Sequence, residues 1–453
     1  MLVAGIDIGT TTVCGVLADA GSGQVIESLT EKNDSFIRSE NDFERIQDSG
    51  RIAEKTQAIA ERLTDGREKE IAAIGFSGQM HGIIYLDASG NALSPLYTWQ
   101  DARGDRPFGG STFARELSAL TGHRCAAGFG LTTHYYNKVC GLAPEKAAAV
   151  CTAADFAAMR LCGKSAPVMH SSSAASLGVF DLASGGFDER ALSRAEIGTE
   201  LLPRVTGDAE VIGRYKGIPV AVALGDNQAS FIGSTRNEGC LLVNIGTGSQ
   251  ISAQTRVTQP TENCEIRPLY GDRAIAVGSA LCGGRAYALL AEFFRECARE
   301  FGGTEPSLEQ IYARMGALAS AAKEPLPKVE PLFCGTRSRP ELRASVTGLD
   351  TENLAPGPLA AGMLEGMADE LRREFDEMRG GLLSEELTLV GSGNAVRLNP
   401  LLRQALERRF GMRLLVPRHR EEAAFGAAVF ASAAAGLHAD VQKAQRAMVT
   451  YEE

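Results

Sequence analysis

The sequence is short of several things that would otherwise fix a class. It has no uninterrupted apolar run of about 18 residues, so no segment reads as a membrane span. No charged-then-apolar leader precedes the first strand pattern, and a soluble, cytoplasmic protein is expected. Basic residues form no block and the net charge is −10, which speaks against a nucleic-acid or anionic-membrane partner. The ten cysteines include no CxxC pair, so neither a zinc site nor a redox pair is expected, and free thiols in a reducing compartment are. The loop G-x-x-x-x-G-K-[ST] is absent, which excludes a P-loop nucleotide fold. Tryptophan occurs once, at Trp99.

The 453 residues, 44% of them apolar, are enough for two or three domains with cores of their own. Leu2–Ile8 is a branched, apolar run closed by Gly9, and Thr12–Ala18 reads as its hairpin partner. Ile52, Thr56, Ile59 and Leu63 mark a helix, Ile71–Phe76 a buried strand, and Pro219–Leu224 another. The opening pattern then returns. Leu241–Ile245 is a buried strand, Gly246-Thr247-Gly248 a turn, and Gln250–Ala253 the partner, an internal repeat of weak sequence similarity. Leu359, Met363, Met367, Leu371, Phe375 and Met378 predict a long amphipathic helix, Leu387–Val390 a strand, Asn399–Phe410 a helix, and Glu422–Ala435 a closely packing alanine-rich helix. The polar stretch Ser234–Glu238 divides the repeats, giving expected domains of 1–235 and 236–453.

Five segments carry candidate chemistry. In the first turn, Asp7 ends a strand, Gly9 lets the chain bend, and Thr10, Thr11 and Thr12 offer hydroxyls and amides of the kind that phosphate oxygens need. A carboxylate there suits Mg²⁺, which keeps much of its water. Gly246-Thr247-Gly248-Ser249 repeats the turn without the acid. Either turn alone is ordinary hairpin chemistry; two in tandem, each after a buried strand, are harder to dismiss. Asp226 ends a strand and precedes Asn227 and Gln228; it is either a base facing an acceptor hydroxyl or the cap of the next helix, and position alone leaves both open. Gln79, Met80 and His81, with Trp99, Gln100, Asp101 and Arg103, offer the amides, charges and aromatic plane that a polyol wants, though loop packing around a buried histidine is the plainer reading of His81 alone. Gly391–Asn399 fits a dinucleotide fingerprint poorly and a glycine-lined slot for a flat base better.

In their order, GIDIGTT at 5–11, GFSGQMHG at 75–82, TWQDAR at 98–103, GDNQAS at 225–230, NIGTGS at 244–249, Gly283-Gly284, GSGNAVRLNP at 391–400 and EEAAFGAA at 421–428 resemble the FGGY family of carbohydrate kinases over nearly the whole chain. Within it, the segments around 121–136 and 159–176 are most similar to the sedoheptulokinase branch; Leu131–Tyr136 lacks the lysine and tryptophan of many other members. The resemblance implies an α/β fold of two tandem ribonuclease-H-like domains of the actin and hexokinase type, with a cleft between them. It implies ATP and Mg²⁺ as cofactors, and phosphorylation of a terminal hydroxyl of a ketose, first of all sedoheptulose to its 7-phosphate. It makes Asp226 the general base and Asp7 the acid near the metal. It puts Thr10, Thr11, Gly246, Thr247, Gly283, Gly284, Gly393, Asn394 and Asn399 around the nucleotide. Gln79, Met80, His81, Trp99, Gln100, Asp101, Arg103 and Asn227 fall on the sugar side. The alternatives are a xylulokinase or another sugar or polyol kinase of the family, an actin-like ATPase switch, and an idle sugar-binding module. The partners are a small sugar and ATP, with a homodimer left open.

Overall fold

The computed structural model describes residues 1–257, 259, 264–336 and 339–452, and is an α/β protein with two large mixed sheets. The chain divides into two compact units: 1–237 with 267–273 and 421–450, and 238–266 with 274–420 and 451–453. Two segments that the simple division at 235 assigned to the second half therefore pack with the first unit.

In the first unit, strand Leu2–Ile8 lies between its antiparallel hairpin partner Thr12–Asp19 and the parallel strand Ile71–Gly78. Val25–Lys32 extends one edge and Ile218–Ala221 with Val211–Tyr215 the other; the short strand Leu224–Gly225 also pairs in parallel with Ile71–Gly78. The opening run is apolar on both faces because both faces are covered. Helix Ser49–Thr64 puts Ile59 and Leu63 on one side, and the alanine-rich helix Glu422–Ala434 lies on the other. That helix explains why 421–450 belongs here. Its backbone comes so close that a Cβ at Gly5 would lie 1.9 Å from the Ala424 carbonyl oxygen. Alanine and glycine on the facing surfaces allow this approach, and Gly426 of the same helix meets Ala229 of helix Asp226–Ser234 in the same way.

The second unit repeats the plan. Cys240–Ile245 sits between its antiparallel partner Ser249–Thr255 and the parallel strand Thr388–Ser392. Ala274–Ala280 with Cys264–Pro268, and Leu414–Leu415, complete the sheet. The amphipathic stripe resolves into helix Pro356–Met378, whose Met363, Met367, Leu371, Phe375 and Met378 are all buried in this unit's core. The internal repeat is thus one strand–turn–strand motif with a parallel neighbour, built twice.

The segment 267–273 returns to the first unit, held there by bonds that include the following. Arg267 Nη1 donates to Asn227 Oδ1 (3.0 Å), Gln228 Nε2 to the Pro268 carbonyl (3.1 Å), Gly271 N–H to the Gly207 carbonyl (2.7 Å), and the Tyr270 hydroxyl to Gln445 Oε1 (3.0 Å). All ten cysteines are free thiols. Among the described residues, no helix is long and apolar enough to cross a membrane.

Candidate functional site

The parallel register brings three strand ends of the first unit together. Asp7 is level with Ser77, and Leu224 is level with Ser77 from the other side, so Asp226 follows directly at the adjacent strand end. Asp226 is the first residue of helix Asp226–Ser234; the capping position is Gly225, so Asp226 is not the cap that position alone allowed. Its Oδ1 accepts from the Asn227 backbone N–H at 2.7 Å. Burial pushes the Asp226 carboxyl up to about 6, against the Asn227 N–H and the nearby Arg267 guanidinium, which both favour the anion. Asp7 is pushed up to about 7, first by burial, then by the Asp226 charge, with Glu421 adding to it; the Ser77 hydroxyl, donating to Asp7 Oδ1 at 2.8 Å, works in the opposite direction.

Asp7 thus sits where negative charge is in surplus and water is scarce, which a cation would relieve. The residues fit Mg²⁺ in that sense. Among the described residues, no group of three or more His, Cys, Asp or Glu could hold a metal by itself.

The turn after Asp7 is tied down from behind. Asn33 Nδ2 donates to the Gly9 carbonyl, Asn33 N–H to the Thr11 carbonyl (both 2.8 Å), and Gln47 Nε2 to the Thr10 carbonyl (2.9 Å). With its carbonyls engaged, the turn's amides and hydroxyls are what it can offer an anion. Gln79 is buried and donates to Gln47 Oε1 (2.8 Å), while Trp99, 47% exposed, donates from Nε1 to Thr10 Oγ1 (3.0 Å). Gln79 and Trp99, expected on the sugar side, therefore also brace the first turn.

The remaining sugar-side candidates separate. Met80 packs against the position a Cβ of Gly225 would occupy, next to Asp226. His81 has φ 73°, a conformation that a non-glycine residue holds only under constraint. Its N–H donates to Ser176 Oγ (3.0 Å) and its Nδ1 to the Ser176 carbonyl (2.7 Å), and its ring stacks on Phe129 at 4.6 Å. A donating Nδ1 makes Nε2 an acceptor in the neutral ring. Gln100 is exposed. Asp101 and Arg103 differ from the expectation: they are 1% and 2% exposed, and bond to each other (Arg103 Nε to Asp101 Oδ1, 2.6 Å). Arg103 also donates to Asn137 Oδ1 (2.6 Å) and lies 4.1 Å over the Tyr97 ring, and Asp101 Oδ2 accepts from Arg45 N–H (3.0 Å). A buried pair so fully engaged by protein groups holds the Trp99 loop in shape.

In the second unit, Gly246, Thr247 and Gly248 are exposed at the strand end. Gly283 and Gly284 pack directly on them. A Cβ on Gly284 would lie 2.5 Å from the Gly246 carbonyl, to which Gly284 N–H donates at 2.9 Å. Gly393, at φ 85°, turns the chain out of strand Thr388–Ser392, and Asn394 opens the short helix that follows. Asn399 Oδ1 accepts from the N–H groups of Leu401 and Leu402 (3.1 and 3.2 Å), so its side chain is a helix cap.

The order of these segments also matches family models. Residues 2–233 match the N-terminal domain, and residues 241–435 the C-terminal domain, of the FGGY family of carbohydrate kinases. The chain belongs to this family. It is a carbohydrate kinase. It is 27% identical to the sedoheptulokinase of Mus musculus over 94% of its own length and 96% of that protein, and 26% identical to that of Homo sapiens over 90% and 93%. Among solved structures it is similar to a xyloylose kinase from Brucella ovis, with a TM-score of 0.83 at 23% identity over 98% of this chain and 92% of the other. The fold is accordingly the two-domain, ribonuclease-H-like arrangement of FGGY kinases.

Sequence reasoning missed several residues of this FGGY kinase. Arg267 bonds Asn227 and lies near Asp226, yet it is distant in sequence and in no recognisable motif. Ser77 stood inside a quoted motif, but its bond to Asp7 follows only from strand register. Gln47 ends the two-residue strand Ile46–Gln47, too short to show a periodicity, and Asn33 lies just outside a strand.

Proposed function

We propose that this FGGY kinase transfers the γ-phosphoryl group of ATP to a terminal primary hydroxyl of a ketose, with sedoheptulose as the acceptor and the 7-phosphate as product. One observation carries the reading. Asp226 is a half-buried strand-end carboxylate held near 6, so at neutral pH it is ionised and still basic enough to accept a proton. Asp226 takes the proton of the acceptor hydroxyl as its oxygen attacks phosphorus, and ADP leaves. Asn227, Met80, His81, Trp99 and Gln100 bind and orient the sugar. Thr10 and Thr11 of the first turn and Gly246 and Thr247 of the second serve the phosphates. Gly283, Gly284, Gly393 and Asn394 shape the nucleotide side, and Asn399 supports it as a cap. Asp7 would hold Mg²⁺. When bound, the ion offsets phosphate charge.

The ketose is supported by the two sedoheptulokinase relatives, which span nearly the whole chain. The test is ADP release by the purified protein with ATP, Mg²⁺ and, in turn, sedoheptulose, D-xylulose, D-ribulose, glycerol and gluconate. The largest kcat/KM is expected with sedoheptulose. A larger value for D-xylulose would move the assignment to xylulose. No sugar-dependent release with any acceptor would reject a working kinase.

A further inference from the structure

Helix Ser171–Ser176 has a role that no phosphate or sugar motif explains. It is six residues long, and Ser171, Ser172, Ser173 and Ser176 are all buried. Four hydroxyls in an apolar interior are costly unless each has a partner. Two of them have partners on either side of the candidate site.

The first line of bonds runs to Asp226. His170 Nε2 donates to the Gly207 carbonyl (3.1 Å), so Nδ1 is the acceptor, and it receives the Ser172 N–H (3.1 Å) and the Ser172 hydroxyl (2.8 Å). The Ser172 oxygen in turn accepts the Gly225 N–H at 3.1 Å. Gly225 is the residue from which Asp226 projects. Every donor and acceptor on this path has one consistent direction, and burial keeps His170 neutral, with its imidazole pushed down to about 4. The second line runs to the sugar side. The Ser176 hydroxyl donates to the Ser173 carbonyl (2.7 Å), its oxygen accepts the His81 N–H (3.0 Å), and its carbonyl accepts from His81 Nδ1 (2.7 Å). These bonds fix His81 at its positive φ and choose its tautomer.

We propose that the helix Ser171–Ser176 is a brace that sets the catalytic base and the sugar-binding histidine at a fixed spacing, with Ser172 positioning Asp226 through Gly225 and Ser176 positioning His81. The inference rests on the kinase reading above. It assigns the two serines separable effects, because one acts on the group that takes the proton and the other on a group that holds the sugar. A shift of the base by a fraction of an ångström costs turnover, and a misdirected histidine costs sugar affinity.

The test is steady-state kinetics of the full chain with its best acceptor. Ser172→Ala is expected to lower kcat on the order of 10- to 100-fold with the sugar KM within about threefold. Ser176→Ala is expected to raise the sugar KM about tenfold with kcat within about threefold. Equal changes in both parameters for both variants, or none in either while the proteins remain folded, would overturn the brace. A second measurement needs no variant. In the unaltered protein the Gly225 and His81 amides should resist hydrogen exchange together; free exchange of either overturns the proposal. That measurement also separates the two claims, since a chain that phosphorylates no sugar defeats the kinase reading and leaves the brace to be judged by exchange alone.

Discussion

In the first unit, strand Leu2–Ile8 reaches its turn through Asp7, and Ser77, level with it on the parallel strand, donates to that carboxylate. In the second unit the same two places are held by Asn244 and Ser392, again level across a parallel pair. There the Ser392 hydroxyl is buried with no partner among the described residues. One backbone plan therefore carries an acid with its donor in one copy, and an amide beside an unanswered hydroxyl in the other. The first copy stands next to a second acid, Asp226, whose charge adds to burial in raising the Asp7 carboxyl. The second is uncharged and backed by glycines. On the proposed reading, the first turn serves metal and proton chemistry and the second passive anion binding.

The strongest way to break this division is to neutralise the acid that only the first unit has at its strand end. Asp226→Asn should lower kcat by about 10²–10⁴, the range for losing a general base, while ADP affinity measured by calorimetry stays within a few-fold. Near-normal turnover would remove Asp226 from the mechanism.

Exchanging the two turns' chemistry sharpens the point. Asp7→Asn should lower kcat on the order of 100-fold and flatten its dependence on Mg²⁺ concentration. Asn244→Asp should leave kcat within a few-fold and weaken ATP binding about tenfold, because a carboxylate beside a phosphate-binding turn repels the triphosphate. Matching effects from the two substitutions would mean that the turns are not divided in function.

The proton-accepting role has a pH signature. With Asp226 near 6, kcat/KM should fall tenfold per unit as pH drops below about 6, since the protonated acid cannot accept a proton. The Arg267 charge favours the anion, so Arg267→Met should move that acid limb to higher pH and lower kcat/KM at pH 6. A limb that stays in place would show that Arg267 acts only through its bond to Asn227.

Much of this was legible before any coordinates. Branched apolar runs closed by glycine gave both hairpins, because a strand covered on both faces must be apolar throughout. The stripe from Leu359 to Met378 gave the long helix, since a helix facing a core repeats every three to four residues. The site was legible where its residues cluster in sequence, as at Asp7–Thr11 and Asp226–Gln228. It was not where partners meet only through register or a distant return of the chain, as with Ser77 and Arg267. The burial of Arg103 and Asp101 was not legible for a related reason. Charged residues beside a candidate loop read as solvent- or ligand-facing, and nothing local reveals that Asn137, Arg45 and Tyr97 surround them. The alanine-rich helix read correctly as close-packing, but its unit could not be read, because alanine is compatible with any tight partner, and the close approaches at Gly5, Gly75, Gly233 and Gly426 disclose which.

The smallest expected effect tests the comparison most directly, through stability and not through catalysis. Ser77→Ala removes a donor from a carboxylate that remains buried, so the acid loses part of what offsets its burial. It should destabilise the protein by about 1–2 kcal/mol at pH 8, read as a lower denaturant midpoint. At pH 5 the loss should shrink, because Asp7 is then protonated in the folded state and no longer needs a donor to hold its charge. Ser392→Ala removes a hydroxyl that has no partner to lose, so it should be neutral or stabilise by up to about 1 kcal/mol, with no dependence on pH. Equal losses from both substitutions at pH 8 would mean that the two serines do the same work and that Asp7 is not what distinguishes the first turn from the second.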